Sequence, residues 1–124
     1  METATPPFDP DAPPERPVDL PDGDALDAFV DAHDRAVVQF YTEGCSLCAA
    51  MDTVLGAVPR ETDAVAATIN PRDDPPLIES FRITSVPTLV LFVDGEPVDR
   101  IADGFVSGEE LLAFVESVSA DAGV

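Results

Sequence analysis

The chain has 124 residues, 45% of them hydrophobic, which is enough for one domain with a core of ordinary size. Its 25 acidic residues outnumber 6 basic ones, all arginine, and the formal net charge is −19. This charge argues against nucleic acid and anionic membranes as partners, because both are negative. Acid-rich surfaces are typical of proteins adapted to molar salt, which screens self-repulsion, so we predict a halophilic source.

The first 21 residues contain seven prolines, most of them next to an acidic side chain. Because proline lacks the N–H that helices and sheets require, we predict an acidic, disordered or polyproline-like tail over residues 1–21 and a folded domain over residues 22–124. The N-terminus shows neither the basic stretch nor the apolar segment of a signal peptide. No apolar run approaches the ~18 residues of a membrane helix. We therefore predict a cytoplasmic protein that does not bind membranes.

Apolar residues at helical spacing predict a first helix that is capped by Asp22 or Asp24 and ends near His33. A β-branched and aromatic run over residues 36–41 predicts a buried strand. Helical spacing returns over residues 46–58, and Pro59 is expected to stop that helix.

A second buried strand is predicted over residues 64–70, followed by a short helix over residues 75–81. Residues 88–93 form a third strand, and the Asp94-Gly95 turn predicts a hairpin to a fourth strand over residues 96–102.

Pro97 argues that the fourth strand lies at an edge, and Ser107 with Glu110 forms a capping box before a terminal helix. Strands separated by helices are expected to pair in parallel, and the hairpin adds an antiparallel edge. The predicted fold is α/β, with one mixed four-stranded sheet and helices on both faces.

The two cysteines of the chain, Cys45 and Cys48, stand where a strand meets a helix, in the stretch VVQFYTEGCSLCAAM. A redox pair, half of a metal site and two buried thiols are the alternatives. Unpaired N–H groups and the helix dipole would stabilise a Cys45 thiolate, and Cys48 lies within reach for a disulfide. A zinc site needs four ligands, and the lone His33 is more consistent with a residue at a helix end, so we predict no metal.

The C-x-x-C pair after VVQFY, the SVPT some forty residues later and the following TLVLFVDGEPVDRIADGF resemble the thioredoxin family over about residues 22–120. The resemblance implies a thioredoxin-like fold. It also implies that Cys45 is the attacking thiolate, that Cys48 is the resolving thiol, and that Pro87 is a cis-proline facing the disulfide. The backbone of Val86 would pair with an extended substrate. The substrate-binding surface would comprise Gly44, Ser46, Leu47, Val86, Pro87, Gly104 and Phe105.

The implied function is a thiol–disulfide oxidoreductase that acts on protein disulfides without a bound cofactor. It would receive electrons from a separate reductase or a small thiol and work as a monomer. One alternative is a thioredoxin-fold binding or adaptor module with little redox turnover. Another is a dimer that shares an iron–sulfur cluster through Cys45.

The sequence departs from the family pattern at the polar pair beneath the active site. Gln39 stands where the family has a buried Asp, and Thr68 stands where it has a Lys. Because Gln39 cannot accept a proton as a carboxylate does, Cys48 needs another proton acceptor. Water, Glu43 in the turn and Asp52 one helical turn after Cys48 are the candidates.

The sequence between the cysteines also differs, with Ser46-Leu47 in place of Gly-Pro. Ser46 offers a hydroxyl to the Cys45 sulfur, and loss of the proline loosens the turn. We therefore predict a more oxidising couple than in a typical thioredoxin.

Overall fold

The computed structural model describes residues 16–102, 104 and 106–117, and these form a mixed sheet with helices on both faces. The strands are β1 Val18–Leu20, β2 Arg35–Phe40, β3 Val65–Ile69, β4 Thr88–Val93 and β5 Glu96–Ile101. The helices are α1 Gly23–Asp31, α2 Ser46–Leu55, α3 Ala57–Glu61, α4 Pro76–Ser80 and α5 Gly108–Ser117, with a 3-10 turn at Pro71–Asp73. Within these residues no helix is long and apolar enough to cross a membrane.

The sheet has five strands in the described part of the chain, in the order β1-β3-β2-β4-β5, so the prediction of four strands was wrong by one. The additional strand, β1, lies in the segment that was assigned to the tail. It pairs in parallel with β3 and buries Leu20, which is 2% exposed. Three residues between Pro17 and Pro21 are too few to show strand alternation in sequence. The first 15 residues of the predicted tail lie outside the described residues.

The direction of β4 also differs from the prediction. β2 and β3 are parallel as expected, but β4 runs antiparallel to β2. Phe40 at the end of β2 is paired with Ile69 on one side and with Thr88 on the other, so the chain leaves β3 and enters β4 at the same end of the sheet. The five residues of α4 span only about 7.5 Å. They cannot carry the chain back along strands of about 17–20 Å, as a parallel crossover requires.

The helix predicted over residues 46–58 is divided at Gly56 into α2 and α3. Pro59 does not stop it, because it is the third residue of α3. In the first turn of a helix the backbone N–H has no partner within the helix, so proline costs little there.

Two apolar clusters lie on opposite faces of the sheet. α1 packs on one face through Leu26, Phe29 and Val30. α2, α3 and α5 pack on the other face, which also receives Val37 of β2. The hairpin is confirmed, and β5 forms the predicted exposed edge that includes Pro97.

Candidate active site

The turn between β2 and α2 presents the two cysteines at the helix N-terminus. Gly44 adopts a φ of +82°, a left-handed conformation that glycine reaches without strain. Cys45 follows as the N-cap of α2, and its Sγ accepts a hydrogen bond from the backbone N–H of Cys48 at 3.1 Å. The turn therefore places the first sulfur among the unpaired N–H groups of the helix, which stabilise a thiolate when the pair is reduced.

Cys45 and Cys48 are joined by a disulfide with their Cα atoms 5.3 Å apart, inside the usual range for disulfides. Cys45 is half-buried, whereas Cys48 is 3% exposed. The predicted pairing is confirmed. Cys45 is therefore the more exposed of the two cysteines.

The loop before β4 lies beside this turn, since Thr88 is paired with Phe40, the last residue of β2. The Val86–Pro87 peptide bond is cis, as the family resemblance implies. Thr88 is buried, and its Oγ1 donates a hydrogen bond of 2.7 Å to the carbonyl oxygen of Ser85. A shallow cavity of about 250 Å³ runs between the two loops, with Val86 and Thr42 in its lining.

Gly104, which follows β5 in the chain, lies beside Leu47 of α2. Gly104 has a φ of +93°, and a Cβ built there would lie 3.7 Å from Cδ1 of Leu47. Leu47 is 47% exposed, so it forms an apolar side chain on the surface next to the disulfide. Of the seven residues predicted to bind substrate, Phe105 lies outside the described residues.

A polar cluster lies under α2, at the position of the two substituted residues. Gln39 is completely buried, and its Nε2 donates a hydrogen bond of 2.9 Å to Oδ1 of Asp52 on α2. Its Oε1 is also buried and finds no partner among the described residues. Of the two carboxylates that the sequence suggested as proton acceptors, Asp52 is bonded to Gln39, and Glu43 is exposed in the turn.

Asp19 and Tyr41 belong to the same cluster, and the sequence analysis missed both. Asp19 of β1 accepts hydrogen bonds from Thr68 at 2.9 Å and from the Tyr41 hydroxyl at 3.1 Å. The pKa of Tyr41 is raised to about 12, mainly by burial. The hydrogen bond to Asp19 and the charges of Asp19, Asp73 and Asp52 raise it further. Asp19 lies in β1, whose three residues are too few to show strand alternation, so no sequence pattern pointed to this contact.

His33 lies at the end of α1, as expected. Its Nδ1 is 2.9 Å from the carbonyl oxygen of Phe29, whose ring packs against the imidazole at 4.9 Å. Among the described residues, no group of three or more His, Cys, Asp or Glu side chains is arranged to hold a metal ion.

Comparison with known proteins identifies the family of the chain. The family model described as Thioredoxin matches residues 20–117. The chain belongs to the thioredoxin family. It is 31% identical over 84 residues to the thioredoxin of Chlamydia caviae, an alignment that covers 67% of this chain and 81% of that protein. It is 37% identical over 67 residues to the thioredoxin of Mycobacterium bovis, covering 52% of this chain and 58% of that protein.

Among solved structures, a mutant thioredoxin from Halobacterium salinarum is similar with a TM-score of 0.80 and 30% identity. This match covers 86% of this chain and 93% of that one. Membership of the family, combined with a C-x-x-C pair in disulfide contact at a helix N-terminus, makes the chain a thiol–disulfide oxidoreductase.

Proposed function

We propose that Cys45 is the attacking thiolate and Cys48 the resolving thiol in the reduction of protein disulfides. Cys45 Sγ attacks a target disulfide, forms a mixed disulfide and releases one target thiolate. Cys48 then attacks Cys45 Sγ, which closes the disulfide and releases the second target thiolate. The observation that carries this order is the half-buried Cys45 at the N-cap of α2, above a buried Cys48.

Variants of the two cysteines test the order of attack. Cys48→Ser is expected to stop after the first step and to hold a protein target as a stable mixed disulfide. Cys45→Ser is expected to lower insulin reduction to the rate of dithiothreitol alone and to hold no target. A mixed disulfide that forms on Cys48 in the Cys45→Ser variant would contradict the assignment.

The substrate-binding surface is proposed to comprise Gly44, Ser46, Leu47, Val86, Pro87, Gly104 and Phe105, with the backbone of Val86 pairing with an extended target segment. The exposed Leu47 beside Gly104 supports an apolar docking contact. Leu47→Ala is expected to raise KM for a protein disulfide about tenfold, as for a central contact residue. The control is Val98→Ala, an equally exposed apolar residue on β5. Equal KM values in the two variants would contradict the docking role.

Because the reaction uses two sulfur atoms of the chain itself, no bound cofactor is needed, and a separate reductase or small thiol would return electrons to the pair. We propose a cytoplasmic monomer from a halophile. The charge of −19 supports the halophilic source, because molar salt screens the self-repulsion of so acidic a chain.

A further inference from the structure

The resolving step requires that Cys48 lose a proton, and the structure places its thiol away from water. Cys48 is 3% exposed. Gln39, which stands where the family has a buried Asp, is an amide and accepts no proton at neutral pH. The proton must therefore leave through another group that connects the interior to solvent.

Asp52 has this connection. It lies four residues after Cys48 on α2, so the two side chains are neighbours on one face of the helix, with Cβ atoms about 5–6 Å apart. The residue as a whole is exposed, yet its Oδ1 reaches inward to the buried Nε2 of Gln39 at 2.9 Å. One carboxylate thus contacts both the interior and the solvent.

Gln39 is suited to hold this carboxylate in place. An amide N–H donates to the ionised form of a carboxyl group, which is the form able to accept a proton. Gln39 is fully buried in β2 and its Oε1 has no partner within the described part of the chain. Its bond to Asp52 is therefore the one polar contact that the described residues provide for this amide.

The other titratable groups on the surrounding elements are less suited to take the proton. Tyr41 has its pKa raised to about 12 and stays protonated, while Asp19 already accepts two hydrogen bonds at one oxygen. Asp73 lies in the 3-10 turn after β3, and Glu43 is exposed in the turn before Cys45. From α3, the Arg60 guanidinium lies close to Gly56, at the far end of α2.

We propose that Asp52 accepts the proton of Cys48 during resolution and that Gln39 is the residue that positions it. The carboxylate that the family carries on the strand is thereby moved to the helix, and an amide occupies its former place. This inference rests on the proposed order of attack. The Cys48 S–H bond breaks and the proton passes to Asp52, directly or through one water. The resulting thiolate attacks Cys45 Sγ, displaces the target thiolate and forms the Cys45–Cys48 bond, and Asp52 returns the proton to solvent.

A single-turnover reaction with the aromatic disulfide DTNB separates the two steps. The reduced protein releases one thionitrobenzoate when Cys45 attacks and a second when Cys48 resolves the mixed disulfide. Asp52→Asn is expected to leave the first phase unchanged and to slow the second on the order of 10²-fold near neutral pH. The second phase of the variant should rise about tenfold per pH unit, because the proton must then be lost to hydroxide, whereas that of the unmodified protein should rise less steeply.

Three further variants test the assignment of Asp52 as the proton acceptor. Asp63→Asn, at an exposed site before β3, is the matched control and should leave both phases unchanged. Gln39→Leu should slow the second phase, and its effect should not add to that of Asp52→Asn, because the two residues act as one unit. Gln39→Asp combined with Asp52→Asn should restore the second phase by returning a carboxylate to the strand.

The two phases distinguish a failure of the Asp52 assignment from a failure of the proposed order of attack. An unchanged second phase in Asp52→Asn, an equal slowing of both phases, or a slowing in Glu43→Gln instead would each overturn the assignment to Asp52. Absence of the first phase in the unmodified protein would overturn the proposed order of attack, and the inference with it.

Discussion

Tyr41 follows β2 directly and is the chain's single tyrosine. Its hydroxyl donates to Asp19, and together burial and the surrounding carboxylates favour the neutral phenol. Because the pKa of the phenol is higher in the folded state than in the unfolded state, its neutral form stabilises the fold. This stabilisation is fully present below the unfolded pKa of about 10. That contribution is lost as the pH rises through about 12.

Because the chain contains no tryptophan, the ionisation of Tyr41 can be measured directly by absorbance. Absorbance at 295 nm should titrate with a midpoint near 12 in the folded protein and near 10 in denaturant. Asp19→Asn should lower the folded midpoint, though not to 10, because burial is the largest cause. Circular dichroism recorded in parallel shows whether the protein is still folded. A folded protein that titrates near 10 would contradict the described environment of Tyr41.

The two residues between the cysteines bear on the redox equilibrium. Ser46 and Leu47 are both exposed at the start of α2, where the family has Gly-Pro. We expect the reduction potential to lie above the roughly −270 mV of thioredoxin. It can be measured against a glutathione or dithiothreitol series in molar KCl. Ser46→Gly combined with Leu47→Pro should shift it downward, and a value at or below about −270 mV in the unmodified protein would contradict the prediction.

Among the elements, β1 is the strand that the sequence did not predict. It covers the edge of β3, buries Leu20 and brings Asp19 to the polar cluster beneath α2. A segment that resembled a tail therefore contributes both to the core and to the surroundings of the active site.

Substitution of Leu20 tests the structural contribution of β1. Leu20→Ala should destabilise the fold by about 2–5 kcal/mol in urea unfolding, because it removes a buried side chain and leaves a cavity. Leu47→Ala is the matched control: it changes an exposed leucine and should alter stability by no more than about 0.5 kcal/mol. Similar small effects of both substitutions would show that β1 does not pack on the sheet as described.

The whole molecule carries 25 acidic and 6 basic residues on a fold of ordinary size. At low ionic strength these charges repel over a Debye length of about 10 Å or more. In molar salt the length falls to about 3 Å, and the repulsion that opposes folding largely disappears. We therefore expect the stability of the protein to depend on salt through its summed charge rather than through a particular site.

Thermal unfolding across a KCl series tests this property. We expect the midpoint to rise by roughly 10 °C or more between about 0.1 M and about 2 M KCl as self-repulsion is screened. A sucrose series of matched osmolality is the control, because excluded cosolutes stabilise most proteins without screening charge. Full stability at low salt would contradict a halophilic origin.

The motifs of the sequence resembled the thioredoxin family, to which the chain belongs. The sequence by itself determined the disulfide pair, four of the strands and the starts of most helices. It could do so because these features depend on local chemistry: apolar periodicity, turn residues such as Asp94-Gly95, and the capping box of Ser107, whose Oγ accepts a hydrogen bond from the N–H of Glu110 at 3.1 Å. Even the spacing of Cys45 and Cys48 is a local property, since one helical turn joins them.

The tertiary structure alone decided the features that depend on contacts between distant segments. The antiparallel direction of β4 follows from where residues 70–87 enter and leave the sheet. The three residues of β1 become a strand because β3 offers an unpaired edge. Gln39 and Asp52 are 13 residues apart, and their contact exists because α2 packs over the end of β2. No local sequence pattern predicts such a contact, because it forms only when the whole sheet and its helices are in place.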